Sequence, residues 1–239
     1  MQAMPGTALL RGLNFCERNL MTTRLIRACG SAFIFLGILA PGASAFPMAR
    51  QKSRGFILVN KGKAKAAIVI PATGSPADRR AAEILQSSVR KMSGVSLPIF
   101  EKRRPGSHAE IAIGFAGDKL PKAVSSSATS LKEDGFLVAS SGRNVYILSG
   151  GHKGSVYGVV HLLEKYFGCR KFSPTVEVFP MRNTLTLDPV HDTENPVNDF
   201  RVINGEFSRD LDYRDWRRLD VTDDMFATGY YVHTLGLKV

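Results

Sequence analysis

The stretch SGGHKGSVYGVVHLLEKYFGCRKF, residues 149–172, carries the strongest local pattern in the chain. Glycines at positions 150, 151 and 154 stand between a β-rich run that ends at Ser149 and an apolar segment with helical spacing. A turn of this kind has two interpretations. It either holds a phosphate at a helix N-terminus, or it is a tight corner in which glycine adopts backbone conformations that other residues avoid.

The spacing of these glycines argues against a phosphate loop. A dinucleotide-binding turn has the pattern G-x-G-x-x-G after the first strand of its domain, and a P-loop ends in Gly-Lys followed by Ser or Thr. Here the pattern is G-G-x-x-G, it occurs late in the domain, and it lacks the P-loop ending. We therefore interpret it as a structural corner whose glycines supply positive φ angles, and we expect Gly158 to let the following helix approach a sheet closely.

The segments around this corner predict short strands and two helices. The first helix begins after Ser75, with Pro76 at its first position and Asp78 in its first turn, and ends at Gly94. The second carries its apolar face from Val156 to Phe167. Strands are predicted at 56–60, 66–70 (joined to the first by a Lys61–Lys63 turn), 97–100, 110–114, 135–140, 144–149, 176–179 and 184–187. The mixture indicates an α+β fold: a small mixed or antiparallel sheet with two helices packed on it.

The N-terminal region has the features of a secretory signal peptide. Arg24 and Arg27 precede the apolar run SAFIFLGILA at 31–40, and Ala43-Ser44-Ala45 follows as a cleavage signal. Ten apolar residues are too few to span a bilayer as a helix. We therefore predict a signal peptide over residues 1–45, with Met21 as a plausible true start, and a secreted or periplasmic chain cut after Ala45. An uncleaved N-terminal anchor is the alternative, and no stable membrane span is expected after cleavage.

Cysteine content and charge narrow the function classes. Only Cys169 remains after Ala45, so no intramolecular disulfide is expected and the core must supply the stability. Residues 46–105 hold most of the basic excess, whereas residues 188–224 are acidic. The chain shows neither an aromatic-basic stacking series nor zinc-finger spacing, so a nucleic-acid partner is not expected. An anionic polysaccharide is the notable alternative to a plainly solvated basic surface.

Several blocks, in order along the chain, resemble one known domain. They are AAIVIPATGSPADRRAAEILQSSVRKMSGVSLPIF, AEIAIG, DGFLVAS, NVYILSGGHKGSVYGVVHLLEKYFGCRKFSP and VEVFP. Together they resemble the N-terminal domain of family-67 α-glucuronidases as found in secreted bacterial glycosidase-like proteins. Similar domains precede the barrels of family-20 and family-84 hexosaminidases. The resemblance covers residues 56 to about 190, and the Gly-Gly-x-x-Gly-x-x-Tyr-Gly-Val block is its most specific part.

The resemblance implies a noncatalytic module followed by a catalytic barrel. We expect the α+β domain over residues 46–190 and the incomplete start of a (β/α)₈-type glycosidase domain over 191–239, with residues 199–203 (DFRVI) as the first barrel strand. Barrel active sites need side chains from several strands. The catalytic carboxylates are therefore expected beyond Val239, and the chain is expected to be a fragment or a truncated product.

Three residues match functional positions of the related domains. Arg201 matches an Arg that binds sugar hydroxyls, and its planar fork of donors also suits a uronate carboxylate. His233 matches a His near a substrate cleft. Arg170 matches an Arg that faces the barrel, and we expect it to form an interdomain contact. Ordinary structural roles remain open for Arg201 and His233.

Other chemistry-bearing patterns are discounted. Acidic residues between Asp210 and Asp224 offer many carboxylate pairs, as glycoside hydrolysis requires, but they do not occupy the family's catalytic positions. The pair Asp210 and Asp212 lacks the Gly and distal Glu of a calcium loop. His108-Ala-Glu110 lacks the P-C-x-x-C of zinc deaminases. We expect no catalytic residue, metal site or cofactor within residues 1–239.

Three functional hypotheses remain open from the sequence. In the first, the chain is the noncatalytic N-terminal portion of a secreted carbohydrate-active hydrolase that acts on a carbohydrate, with a uronic-acid-containing glycan as the more specific expectation. In the second, it is a stand-alone exported carbohydrate-binding or structural module. In the third, its basic segment binds anionic polymers. Continuation of alternating strands and helices past residue 239 would favour the first over the second.

Overall fold

The computed structural model describes residues 55–220, apart from residues 104, 105, 107, 118, 119, 152, 199, 200 and 204. The predicted signal peptide, with its cleavage signal and Met21, lies outside the described residues, as do residues 221–239. All described residues belong to the second of two structural units, Arg50–Val239.

A six-stranded mixed sheet organises these residues, with strand order β11-β6-β7-β5-β3-β4. Strands β4, β3, β5 and β7 run parallel, whereas β6 and β11 are antiparallel to their neighbours. The described strands are β1 (Phe56–Asn60), β2 (Lys63–Ala64), β3 (Ala66–Val69), β4 (Ile99–Phe100), β5 (Ala109–Ile113), β6 (Phe136–Ser141), β7 (Asn144–Ser149), β8 (Arg170–Lys171), β9 (Glu177–Val178), β10 (Leu185–Leu187) and β11 (His191–Glu194). The α+β class predicted from the sequence is confirmed.

Four α-helices accompany the sheet. They are α1 (Pro76–Ser93), α2 (Lys122–Ala128), α3 (Gly154–Leu162) and α4 (Leu211–Arg217). A π-helical turn, Leu163–Phe167, continues α3, and a 3₁₀ turn, Glu206–Arg209, precedes α4.

Helix α1 begins and ends where the sequence predicts, because its terminal residues satisfy the free backbone groups. The Ser75 hydroxyl accepts from the backbone N–H of Asp78, and the Asp78 carboxylate accepts from the backbone N–H of Ser75, which completes a capping box. Pro76 occupies the first turn, where no intrahelical N–H is needed. Gly94 ends the helix with φ +74, a left-handed conformation that glycine adopts without strain.

Alternate side chains of the sheet lie in two separate hydrophobic cores, one on each face. Phe136 and Val138 of β6 point to the face that α1 and α3 cover, whereas Leu137 and Ala139 point to the face that α2 covers, beside Val124. Because both faces are buried, the central strands are apolar at nearly every position. The sequence prediction of two packed helices therefore accounts for one face only. Helix α2 escaped prediction because KAVSSSA buries a single residue and has no apolar period.

The first two predicted strands lie in different sheets, so they do not form a hairpin with each other. The turn at Lys61 and Gly62 is present, with φ +49 and +71, but it returns the chain only into the short strand β2. Strand β1 pairs antiparallel with β10, and β3 starts a new pairing with β5 and β4. Lys65 marks the change, because β2 ends before it and β3 begins after it.

Residues beyond position 190 contribute to the same sheet and core. Strand β11 pairs with β6 over four residues, and Trp216 of α4 is 6% exposed and joins the core under α1 and α3. The sequence HDTE of β11 is polar because the strand lies at the sheet edge, which explains why it was not predicted. The described packing therefore continues across the domain boundary predicted after residue 190.

Residues 201–203 do not form the strand expected as the beginning of a barrel. Arg201, Val202 and Ile203 have no strand pairing, while residues 199 and 200 lie outside the described residues. The apolar pattern of this stretch resembled a buried strand, but Ile203 is 39% exposed and the segment runs over the surface of the domain towards α4.

The carboxylates of Asp192 and Glu194 on the edge strand β11 both contact His161 of α3, and Asp192 makes further contacts with the π-helical turn. Asp192 accepts hydrogen bonds from Lys165 (2.8 Å), Tyr166 (2.6 Å) and the His161 ring (2.9 Å). Burial alone would raise the pKa of Asp192, but these hydrogen bonds outweigh it and lower the pKa to about 2. The π-helical turn brings Lys165 and Tyr166 into this contact, since both belong to it.

We predict that Asp192→Asn destabilises the protein at pH 7 by roughly 1–2 kcal/mol, and by less as the pH falls. A carboxyl with a lowered pKa stabilises the fold above its unfolded pKa of about 3.9. That stabilisation is lost as the pH falls through about 2. Urea unfolding of both proteins at pH 7, 5 and 3 measures the difference. Asp188→Asn, at an exposed position, is the control, and an equal pH response from that control would contradict the assignment.

Candidate functional site

The glycine-rich corner lies at the carboxyl ends of the parallel strands, where β7 turns into α3. Gly150, Gly151 and Gly154 do not adopt positive φ angles, contrary to the sequence prediction. Space is the constraint instead: a β-carbon at Gly150 would collide with the Lys132 carbonyl, and one at Gly154 with the Gly135 carbonyl. The corner is glycine-rich because the 131–135 loop packs directly against its backbone.

Gly158 has the role that the sequence predicts. A β-carbon at this position would lie 2.8 Å from a methyl carbon of Ile147 and 3.4 Å from Phe136. Both distances are shorter than or at the limit of ordinary packing, so only glycine lets α3 lie this close to β6 and β7.

A buried carboxylate joins the N-termini of α1 and α3. Asp78, 6% exposed, accepts from the backbone N–H and the hydroxyl of Ser75, both at 2.8 Å, and from the hydroxyl of Ser155 at 2.5 Å. Gly114, with φ +73 at the end of β5, leaves room for this carboxylate, which a β-carbon there would overlap. We call Asp78, Ser75 and Ser155 the Asp78 clasp.

A cleft of about 760 Å³ opens beside the Asp78 clasp. Phe115, Val156 and Leu211 supply apolar walls, and Arg80 and Lys153 supply positive charge. The Arg80 guanidinium donates to Asp215 at 2.9 Å and also pairs with Asp212. Burial raises the pKa of Asp215, and the hydrogen bond from Arg80 opposes that effect. The charges of this cleft are therefore largely arranged in pairs.

The cleft does not have the chemistry of a phosphate site. The N-terminus of α1 is already satisfied by its own capping box. At α3, the backbone N–H of Lys153 donates to the Asp134 carboxylate at 3.3 Å, and that of Gly151 donates to the Ser149 hydroxyl at 3.0 Å. Carboxylates thus occupy the positions that an anion would take at both helices, and they would repel a phosphate.

Arg201 lies outside this cleft and is engaged by the protein itself. Its three side-chain nitrogens donate to the Arg218 carbonyl (2.8 Å), the Asn198 carbonyl (2.8 Å) and the Asp134 carboxylate (2.5 Å). Its guanidinium also lies 5.4 Å from the ring centroid of the buried Tyr157. These contacts hold the chain after β11 against the 131–135 loop. The predicted role of Arg201 in sugar binding stays a prediction.

Arg170, the second predicted residue, does not line the cleft. Arg170 is exposed in β8 and donates to the carbonyls of Glu164 (2.6 Å) and Cys169 (2.7 Å), so its described contacts cap the end of the helical segment. Its interdomain role stays a prediction. His233 lies outside the described residues. Cys169 is buried beside Met92, and burial raises its pKa to about 12, as expected for an inert core thiol.

Acidic residues that the sequence offered as catalytic pairs have structural contacts. Asp210 caps α4 by accepting from the backbone N–H of Tyr213, and Asp212 and Asp215 pair with Arg80. The S-P-A-D pattern predicted Asp78 as a residue of the helix cap. Nothing in the sequence near Asp134 indicated its contacts with Lys153 and Arg201. Within the described residues, no group of three or more His, Cys, Asp or Glu side chains could hold a metal ion. No helix among them has the length and apolar character that a bilayer span requires.

Comparisons with known proteins agree with the resemblance seen in the sequence. Residues 57–162 match the family model described as the N-terminus of glycosyl hydrolase family 67. No curated protein matches the sequence significantly.

Similar solved structures include enzymes of two glycosidase families. The Streptomyces plicatus N-acetyl-β-hexosaminidase is 16% identical over 62% of this chain and 24% of its own, with a TM-score of 0.40. The family 20 β-N-acetylhexosaminidase of Streptomyces coelicolor A3(2) is 18% identical over 62% and 25%, with a TM-score of 0.40. A family 115 4-O-methyl-α-glucuronidase with specificity for decorated arabinogalactans is 15% identical over 61% and 19%, with a TM-score of 0.41. The chain thus spans a quarter or less of each.

We predict that Asp78→Asn destabilises the protein by roughly 1–3 kcal/mol, because the amide NH₂ would face hydroxyl and N–H donors that the carboxylate now accepts. Urea unfolding of the purified protein measures the loss. Asp188→Asn, which makes the same change at an exposed carboxylate, should alter stability by less than about 0.5 kcal/mol. Equal stability of the two variants would show that the Asp78 clasp does not hold the helices together.

Arg201→Gln should lower stability by about 2–3 kcal/mol, since it leaves the largely buried carboxylates of Asp134 and Asp220 without their cation. Arg209→Gln removes an exposed Arg from the same region and is the matched control. Unfolding midpoints and glucuronate affinity are both measured. Unchanged stability together with weaker glucuronate binding would instead support the sugar-binding role.

Proposed function

We propose that this chain is the noncatalytic N-terminal portion of a secreted glycoside hydrolase, because residues 57–162 match the family model described as the N-terminus of glycosyl hydrolase family 67. The family match carries this proposal. It begins in β1 and ends at the last residue of α3, and so it includes the central parallel strands and the glycine-rich corner.

The contacts of the acidic residues support a noncatalytic role for the described domain. A glycosidase needs one carboxyl group free to protonate the leaving group and another free to act as base or nucleophile. Asp134, Asp192 and Asp215 instead form ion pairs with Arg201, Lys165 and Arg80. These carboxylates connect elements of the domain, so the catalytic pair is placed in a downstream barrel under this proposal.

The remaining features of the proposal concern export and substrate. The signal-peptide pattern before Ala45 supports a secreted or periplasmic location. A carbohydrate is the proposed substrate class of the whole enzyme, and the more specific proposal is a glycan that contains uronic acid. The partner of this domain would be the barrel that follows it.

One observation favours a stand-alone exported module instead. Residues 191–220 complete the domain rather than leave it, since β11 extends the sheet and Trp216 enters the core. A chain with this packing has its own hydrophobic core without a barrel. Such a module would bind carbohydrate or have a structural role, and it would have no catalytic activity.

We predict that the purified 239-residue chain does not hydrolyse 4-nitrophenyl uronides, because the proposal places the catalytic carboxylates in a downstream barrel. Release of nitrophenolate, followed by absorbance, measures turnover. A chain extended in frame by a further ~200 residues of alternating strands and helices should hydrolyse a glycoside if the enzyme proposal holds. Turnover by the 239-residue chain, abolished by heat, would contradict the noncatalytic assignment. An extension without barrel-type alternation would favour the stand-alone module.

A further inference from the structure

Basic side chains gather at the end of the domain opposite the cleft. Helix α1 has 18 residues, so its C-terminus lies about 27 Å from the Asp78 clasp at its N-terminus. At this far end the backbone N–H of Arg182 donates to the Met92 carbonyl at 2.8 Å. The β1–β2 turn lies at the same end of the domain. The backbone N–H of Gly62 donates to the Asn183 carbonyl at 2.9 Å, and the backbone N–H of Lys61 donates to the Thr184 hydroxyl at 3.2 Å.

We call Lys61, Lys63, Arg90, Arg170 and Arg182 the basic corner. Arg90 belongs to the last turn of α1, and Arg170 and Arg182 both lie near enough to Cys169 to act on its thiol electrostatically. Hydrogen bonds therefore hold the β1–β2 turn and the 182–184 loop at the C-terminus of α1, although these segments are far apart in the sequence.

The positive charge of the basic corner is not neutralised by the described part of the protein. All five side chains are exposed, and none forms an ion pair with a described carboxylate. Arg170 donates to two carbonyls, which leaves its charge in place. Of the nearby acids, Glu177 is engaged with Lys91 and Lys171, and Glu164 lies beside Cys169.

Helix stabilisation explains part of this charge but not all of it. Cations in the last turn of a helix interact favourably with its dipole, which accounts for Arg90. The same effect applies to Arg182, whose backbone N–H donates to the Met92 carbonyl at this end of the helix, whereas Lys61 and Lys63 lie on a hairpin outside the helix. Like charges held close together without partners cost free energy, so their fixed grouping indicates an anionic partner.

Exposed apolar side chains border the basic corner. Val178 pairs directly with Arg170 in the β8–β9 hairpin. Phe172, at the tip of that hairpin, is 55% exposed, and Met181, next to Arg182, is 79% exposed. A sugar ring presents an apolar C–H face that packs on such side chains, and a uronic acid adds a carboxylate that pairs with Arg or Lys.

We propose that the basic corner binds an anionic polysaccharide built from uronic acid units, with the cations holding carboxylates and Phe172 packing on a sugar face. The choice of a uronate over another polyanion rests on the proposed carbohydrate function. The geometry of the corner agrees with that choice, since one exposed aromatic does not make the stacking series typical of single-stranded nucleic-acid binding.

Binding of fluorescent oligogalacturonate to the purified 239-residue chain tests the proposal. Lys61→Gln/Arg90→Gln/Arg182→Gln should weaken affinity at least tenfold at 50 mM NaCl, and raising the salt to 200 mM should weaken binding to the unsubstituted chain. Lys122→Gln/Lys132→Gln/Arg209→Gln removes the same charge from exposed sites elsewhere and should change affinity less than twofold. Circular dichroism checks that both variants fold.

A second variant separates sugar contact from simple charge attraction. Phe172→Ser leaves every charge in place and should weaken binding about threefold with the same salt dependence. Absence of binding to the unsubstituted chain, an equal loss in both triple variants, or equal competition by duplex DNA would each overturn the proposal. This measurement detects binding and not turnover. A negative result would therefore overturn the proposed binding surface without deciding the proposed hydrolase role.

Discussion

The fold depends on a buried carboxylate at the point where two helices begin. Asp78 accepts from Ser75 in its own helix and from Ser155 in α3, and it lies against Gly114 at the end of β5. An unpaired carboxylate at 6% exposure would be costly, but three hydrogen bonds satisfy it. This contact fixes α1 relative to α3, and both helices then cover the same face of the sheet.

The two ends of α1 consequently have different chemistry. Asp78 at its N-terminus, and Asp134 at the neighbouring N-terminus of α3, take the positions that a bound anion would need. At the C-terminus of α1, cations from the hairpin, the helix and a loop collect without carboxylate partners. The uneven charge along the sequence thus becomes an uneven charge in space, with the end away from the clasp suited to acidic ligands.

Sequence patterns predicted the local features well and the nonlocal ones poorly. The capping box of Ser75 and Asp78 and the close approach at Gly158 were visible because each depends on residues that are near in sequence or on one residue type. The glycines at 150 and 154 were recognised as a corner for the wrong reason, since the 131–135 loop that crowds them is close only in space. Similarly, the contact of Arg201 with Asp134, 67 residues away, was not visible in the sequence.

The sequence by itself determined the α+β composition, the limits of α1, the β-rich runs and the family model that residues 57–162 match. Helix caps and apolar periods are local, and the blocks occur in a fixed order. Only the tertiary structure decided which strands pair, that polar HDTE closes the sheet edge and that α4 enters the core. Those outcomes depend on contacts between residues far apart in the chain. Burial and charge at such contacts are set by neighbours that no local pattern specifies.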